Sequence, residues 1–468
     1  MTDLASRLRT ILRPGSGQAA RRELTYEPDS GVYERHTDLD RMCEALTAVP
    51  ADTPAGRCLQ VNRRYEADRW HGDVRIGDCE LTDLSALDVF CFRTSGTPGT
   101  PGTPGTLGTP GTPIFLDIET TGLSGGAGTV AFLVGCGYFD LGAFQIHQFL
   151  LPSYAAERAL LAAVAASVAP AGCIVTYNGK TFDLPVMETR WLFHRMTMPL
   201  AEKPHVDMLH PARRLWRRRE AAPGIDADRC NLSVLERDLF GVRRIGDVPG
   251  FEIPSRYFRF LRSGDPAPLE AVLEHNRLDL VSLAVVTARA AAIARGGSPA
   301  CRDGRERLAL GRLFERAGKD DEAERCYRDA AADHEAGVRA DAWCRLALHL
   351  RRARRYSEAA NAWHEVLRTL GTPGTLGTLG TLGTPGTPGT PGILGTLARE
   401  ALAVHMEHRA GNLDGARALA VEALLDLEEA GEAPRRREAL RHRLARLDRK
   451  LAGVQQKGGA SAAFPELL

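Results

Sequence analysis

Residues 114–123 read Ile-Phe-Leu-Asp-Ile-Glu-Thr-Thr-Gly-Leu, an apolar run that ends on two acids, Asp117 and Glu119, two positions apart. This spacing predicts a β-strand with both carboxylates on one side, because alternate residues of a strand share a face. Two like charges facing one small volume repel each other, and a divalent cation between them neutralises that cost. The pair reads as half of a metal site; the alternative is a solvated strand end carrying two unrelated acids.

Two further stretches supply the other half. Residues 173–185, Cys-Ile-Val-Thr-Tyr-Asn-Gly-Lys-Thr-Phe-Asp-Leu-Pro, predict a buried strand, an Asn-Gly turn and a helix with Asp183 in its first turn. Residues 269–286 predict a helix whose apolar stripe is Leu269, Val272, Leu273, Leu280 and Leu283. On that helix His275 and Asp279 are four apart and share a face.

Asp117-x-Glu119, Asn178-Gly-Lys-Thr-Phe-Asp183 and His275-x-x-x-Asp279 resemble the three motifs of the DEDD exonuclease superfamily. The stretch from about 114 to 293 resembles its YprB-like branch, including Gly-Leu-Ser-Gly-Gly-Ala-Gly-Thr at 122–129 and His-Asn-Arg-Leu-Asp-Leu at 275–280. The resemblance implies a ribonuclease-H-like fold and release of 5′-mononucleotides from the 3′ end of DNA or RNA. Asp117, Glu119, Asp183 and Asp279 are then the candidate ligands of two Mg²⁺ or Mn²⁺ ions about 3.5–4 Å apart, the equipment for two-metal phosphodiester hydrolysis. Superfamily members carry Tyr four residues before the last Asp, or His five before it; this chain has His at the Tyr spacing. Because His275 still shares a face with Asp279, it is expected to orient or deprotonate the attacking water.

A nuclease also needs contacts to phosphate outside the metal site. Arg213, Arg214, Trp216, Arg217, Arg218 and Arg219 place five guanidiniums and one aromatic within seven residues, suited to backbone charge and base stacking, and Asn178 joins this candidate set. Arg243-Arg244 and Arg256-Tyr257-x-Arg259 are possible extensions. The bland reading of the run is a solvated helix face.

Composition fits a cytoplasmic enzyme. The chain has 468 residues, 44% of them hydrophobic, and carries 60 Lys and Arg against 59 Asp and Glu, so nucleic-acid binding must rest on local patches. No run approaches the roughly 18 apolar residues of a membrane span, and the N-terminal segment lacks a cleavable leader pattern. Ten scattered cysteines with no Cys-x-x-Cys read as reduced structural thiols. His205-x-Asp207-x-x-His210 is the nearest candidate for zinc, though a strand running into a helix explains it as well.

Organisation follows from the same reading. Residues 1–94 form a segment of unknown role with strand-like stretches around Val61, Val74 and Val89–Phe92. Residues 95–113 are a Gly-Thr-Pro linker, and 371–397 repeat the same Gly-Thr-x unit as a loop. Between them, 114–295 predict the α/β ribonuclease-H-like domain, a mixed sheet flanked by helices. Residues 300–453 predict an all-α domain of tetratricopeptide-like repeats. Leu310, Gly311, Phe314, Ala323, Tyr327 and Ala330 recur 36 positions later as Leu346, Ala347, Leu350, Ala359, Trp363 and Val366, with a weaker third unit at Ala416, Ala420 and Ala423. An amphipathic helix through Leu440 and Leu447 closes the array, and 454–468 are a flexible tail. Such repeats suit a protein partner. The competing functions are a catalytically silent nucleic-acid-binding or protein-interaction scaffold, and a sugar or phosphate-monoester hydrolase using the same acids.

Overall fold

The computed structural model describes residues 39–90, 112–122, 128–201, 203–216, 230–371, 391–429 and 433–461. Its centre is a seven-stranded mixed sheet. The strands are β1 (Ala48–Thr53), β2 (Gly56–Tyr65), β5 (Pro113–Thr120), β6 (Ala131–Asp140), β7 (Ala143–Leu150), β8 (Cys173–Thr176) and β9 (His205–Asp207), with a two-stranded ribbon, β3 (Trp70–His71) and β4 (Val74–Arg75), standing apart. The order is β1-β2-β7-β6-β5-β8-β9. The first five strands pair antiparallel, while β5-β8 and β8-β9 are parallel. Parallel neighbours need a crossover, supplied by α2 (Glu157–Val168) before β8 and α3 (Asp183–Phe193) before β9. The antiparallel β6-β7 turn is tight: Leu141 and Gly142 both have positive φ, as a two-residue hairpin requires.

Alternation along β5 divides the core. Ile114, Leu116 and Ile118 face one layer with Leu160, Val164, Trp191 and Tyr257. Phe115 faces the other, beneath α7 (Ala267–Gly296), with Phe144, Val175, Leu280 and Leu283. Asp117 and Glu119 share the Phe115 face, so the sheet presents both to α7.

The N-terminal segment corrects the expected boundary. Residues 48–65 continue the same sheet, β2 pairing with β7 from Leu59 to Tyr65. The next segment docks on α7, where His71 Nε2 meets Ser282 Oγ at 2.9 Å. Val89 belongs to a buried 3₁₀ turn, Leu84–Phe90, rather than a strand; its apolar run buries residues on every side, which periodicity cannot distinguish from a strand.

The C-terminal region is helical: α8 (Gly304–Arg316), α9 (Asp320–Ala330), α10 (Ala336–Arg352), α11 (Tyr356–Leu370), α12 (Pro391–His405), α13 (Leu413–Glu429) and α14 (Pro434–Ser461). Successive helices pack on each other, and three-residue connections join α8 to α9 and α10 to α11. Close approach requires small residues: a Cβ on Gly311 would lie 2.6 Å from the Tyr327 ring. The buried part of α7 and the first two hairpins share one continuous core with the sheet. The second Gly-Thr-x tract is corrected at its end, because residues 391–397 are helical and Leu394 is buried. There Leu394, Ala398 and Leu402 give the i, i+4, i+8 stripe that makes a helix worth forming. Residues 372–390 and all but the last two residues of the first tract lie outside the described residues. No helix among the described residues is long and apolar enough to cross a membrane.

Candidate active site

Three elements converge on the Phe115 face of the sheet. β5 brings Asp117 and Glu119, the first turn of α3 brings Asp183, and α7 brings His275 and Asp279. β8 stops pairing with β5 at Phe115, and beyond it Asp183 Oδ1 accepts the Ile118 N–H at 3.3 Å. The helix that carries Asp183 is fixed from behind: buried Arg190 donates to buried Glu157 of α2 at 2.5 and 2.6 Å.

The acids press on one another. Burial first, then the charges of Asp279, Glu119 and Asp183, push Asp117 well above the usual carboxylate range. Glu119 is raised by burial and by Asp279, Asp183 and Asp247. Burial raises Asp183 to about 7, against two backbone N–H groups that favour its charge and with Asp207 and Asp279 adding repulsion. Acids held back from ionising in this way are ones that a nearby cation would favour in the charged form. Among the described residues, however, no three His, Cys, Asp or Glu side chains stand close enough to grip a metal ion as they are. One reason is visible in Asp279, whose Oδ1 accepts Arg244 Nη2 at 2.5 Å.

The sequence offers Arg243-Arg244 as an extension of the basic run; in the fold the Arg244 side chain is 7% exposed and bridges Glu236, Asp247 and Asp279. Asp247 in turn meets His275 Nδ1 at 2.7 Å, while His275 Nε2 lies 3.6 Å from Asp279 Oδ2. Burial works against the Asp247 charge, yet the His275 and Arg244 contacts hold its carboxyl below the ordinary range. The imidazole therefore sits between two carboxylates in a fixed orientation.

Asn276 was also missed. It is fully buried, and its Nδ2 donates to Asp117 Oδ2 at 2.8 Å while its Oδ1 accepts Gln148 Nε2 at 2.8 Å. Gln148, Gly135 and Asp117 are direct partners across β7, β6 and β5, and they form a row beneath this side chain. A Cβ on Gly135 would lie 2.3 Å from Asn276 Oδ1, so the row needs glycine there. The signal was the residue after His275 in the quoted motif.

The remaining candidates separate. Asn178 holds a left-handed turn at φ 68° and accepts Thr181 Oγ1 through its own side chain at 2.8 Å. Asp207 fixes that turn, accepting the N–H groups of Asn178, Lys180 and Leu209 at 2.8, 3.0 and 3.1 Å. His205 meets Thr176 Oγ1, and burial pushes its pKa down to about 4. This geometry explains His205 and Asp207 without zinc. Arg213 and Arg214 lie exposed on α4 (Leu209–Leu215). Trp216, half-buried against the core, donates to Glu306 at 2.9 Å and so joins α4 to α8. Arg217, Arg218 and Arg219 lie outside the described residues.

Residues 114–291 match the RNase_H superfamily, in agreement with the mixed sheet and its flanking helices. The chain carries a ribonuclease-H-like domain, a fold whose nucleases generally use divalent metals. It is 34% identical over 260 residues to the protein described as "Uncharacterized protein YprB" of Bacillus subtilis (strain 168). That match takes in 54% of this chain and spans 60% of the length of the relative.

Proposed function

We propose that the protein is a metal-dependent nuclease of DEDD type, a 3′–5′ exonuclease acting on DNA or RNA. The observation that carries this reading is the set of four carboxylates from β5, α3 and α7, of which Asp117, Glu119 and Asp183 are raised by burial and repulsion, beside a histidine held between Asp247 and Asp279. Asp117, Glu119, Asp183 and Asp279 would hold two Mg²⁺ or Mn²⁺ ions, which supply the charge that activates water and stabilises the leaving oxygen. His275 orients that water or takes its proton, and Asp247 fixes the ring. Arg213 and Arg214, with Arg217–Arg219, bind backbone phosphate. We read α8–α14 as tetratricopeptide-like repeats that offer a surface to a protein partner. Reduced cysteines, nine of them free among the described residues, suit a cytoplasmic location.

The test is digestion of end-labelled DNA and RNA with Mg²⁺, with Mn²⁺ and with EDTA. Metal-dependent loss of nucleotides from the 3′ end supports the reading; no cleavage of either polymer under any condition rejects it. A catalytically silent scaffold has one observation in its favour, the Arg244 hold on Asp279. Calorimetric titration with Mn²⁺ separates the two, because a silent site retained by that ion pair takes up no metal.

A further inference from the structure

Arg244 closes a ring of charged groups beside the candidate metal ligands. Its Nη1 donates to Asp247 Oδ2 at 3.1 Å, and Asp247 Oδ1 meets His275 Nδ1 at 2.7 Å. His275 Nε2 lies 3.6 Å from Asp279 Oδ2, and Asp279 Oδ1 accepts Arg244 Nη2 at 2.5 Å. Glu236, on α5 (Leu232–Phe240), adds a tie from outside the ring: one of its oxygens takes Arg244 Nε at 2.9 Å and the other takes Nη2.

These ties are unequal. The Glu236 pair is bidentate and lies in the interior, with side chains 1% and 7% exposed, so parting it would strand a buried charge. Asp279 is 22% exposed and holds Arg244 through a single N–H. It also differs from the acids it stands with, since Asp117 takes the Asn276 amide and Asp183 the Ile118 N–H, both neutral donors. The contact that can open is therefore the one between Arg244 and a candidate metal ligand.

We infer that Asp279 exchanges Arg244 for the divalent cation: Arg244 is a positioning residue that holds Asp279 in the metal-free protein and competes with the ion for the same oxygen. The inference rests on the nuclease reading above. A cation on Asp279 Oδ1 would stand beside a guanidinium of the same sign, so occupancy by one disfavours the other. Arg244 itself stays where Glu236 and Asp247 hold it, and Asp247 keeps its grip on His275 throughout. Without an ion, the fixed guanidinium offsets part of the repulsion that the gathered carboxylates exert on one another.

The test is a double-mutant cycle on the full chain, with Mn²⁺ affinity of the parent, R244Q, D279N and R244Q/D279N read by calorimetry and by the electron paramagnetic resonance of free Mn²⁺. R244Q should bind Mn²⁺ about tenfold more tightly, because a charged hydrogen bond that the ion must break is gone. D279N binds more weakly through Asp117, Glu119 and Asp183, and in that background the Arg244 substitution should change affinity by no more than about threefold. An equal gain in both backgrounds means that Arg244 acts only as a nearby charge, and overturns the exchange. So does unchanged or weaker binding in folded R244Q, the result of a purely structural role. Thermal melting verifies the fold. Where R244Q does not fold, E236Q/R244Q carries the cycle, because it also removes the buried carboxylate that R244Q strands. The failures are distinguishable: Mn²⁺ taken up by neither the parent nor any variant strikes the nuclease reading as well, whereas Mn²⁺ bound by the parent with no gain in R244Q strikes only the exchange.

Discussion

Asn276 Nδ2 lies 2.8 Å from the Asp117 carboxylate and 3.2 Å from the Asp117 carbonyl oxygen, so the helix that carries the third motif is tied to the strand that carries the first. The same amide accepts from Gln148, which also donates to the Leu273 carbonyl. This is a buried polar network in which each donor and acceptor depends on the others.

Asn276→Ala removes the centre of that network, leaving Gln148 Nε2 with the Leu273 carbonyl alone and Asp117 Oδ2 without the Asn276 donor. An unsatisfied buried polar group costs about 1–3 kcal/mol, and urea unfolding at neutral pH should show a loss of that size. Asn276→Asp keeps the shape but adds a carboxylate opposite Asp117. Its loss should be larger in EDTA than in Mn²⁺, whereas equal losses would show that the position is insensitive to charge.

What the sequence made legible was the local geometry of each motif. A period of two put Asp117 and Glu119 on one face, and four-residue spacing put His275 with Asp279. Gly135, Gln148 and Asn276 were not legible, because their relation depends on the strand register of β5, β6 and β7, which no local pattern encodes. Arg244 escaped for a similar reason. An Arg-Arg pair in a loop looks solvent-facing until Glu236, Asp247 and Asp279 are brought around it. β1 and β2 were readable as extended segments but not as part of this sheet, since a long stretch separates β2 from its partner β7. Trp216 sits in a basic run, and only the packing of α8 shows its indole N–H meeting Glu306.

Metal and pH should act on stability together. The Asp183 pKa is raised to about 7 from an ordinary 3.8, so the folded state holds its proton more tightly than the unfolded chain does. Ionising it therefore costs nothing below about pH 4, and the cost grows as pH rises towards 7. In EDTA the melting temperature should rise as pH falls from 7 towards 4. A bound divalent cation favours the ionised acids, so Mn²⁺ should flatten that dependence, and Asp183→Asn should weaken it without metal. A melting temperature that follows the same pH curve with and without Mn²⁺ would show that these acids do not bind the ion.

At the other end of the chain, Glu407 lies in the π-helical turn Met406–Ala410 that follows α12, with its side chain fully buried. Arg443, Arg446 and Lys450 of α14 reach it at 2.8–3.0 Å. The Arg446 hydrogen bonds, opposed by burial and helped by Lys450, hold its pKa down at about 2 against an ordinary 4.5. A depressed carboxylate stabilises the fold above its unfolded value and loses that contribution as pH falls through the folded one. The melting-temperature gap between the parent and Glu407→Gln should be widest above pH 4.5 and narrow towards pH 2. A gap that stays constant over this range would mean that the charge of Glu407 contributes nothing.

The second Gly-Thr-x tract runs into a helix without a break in its repetitive sequence. Residues 372–390 connect α11 to α12, whereas 391–397 are already helical and bury Leu394 at 2% exposure. Replacing 372–390 with about four Gly and Ser residues shortens the connection by roughly two halvings. At about 0.6 kcal/mol each, that should raise stability by about 1 kcal/mol at most. Extending the replacement through Leu397 removes the first turns of α12 and the Leu394 side chain from a packed core, and deleting a buried leucine costs about 2–5 kcal/mol. Chemical unfolding of the two variants should therefore give changes of opposite sign. Equal and large destabilisation in both would show that 372–390 carries structure of its own.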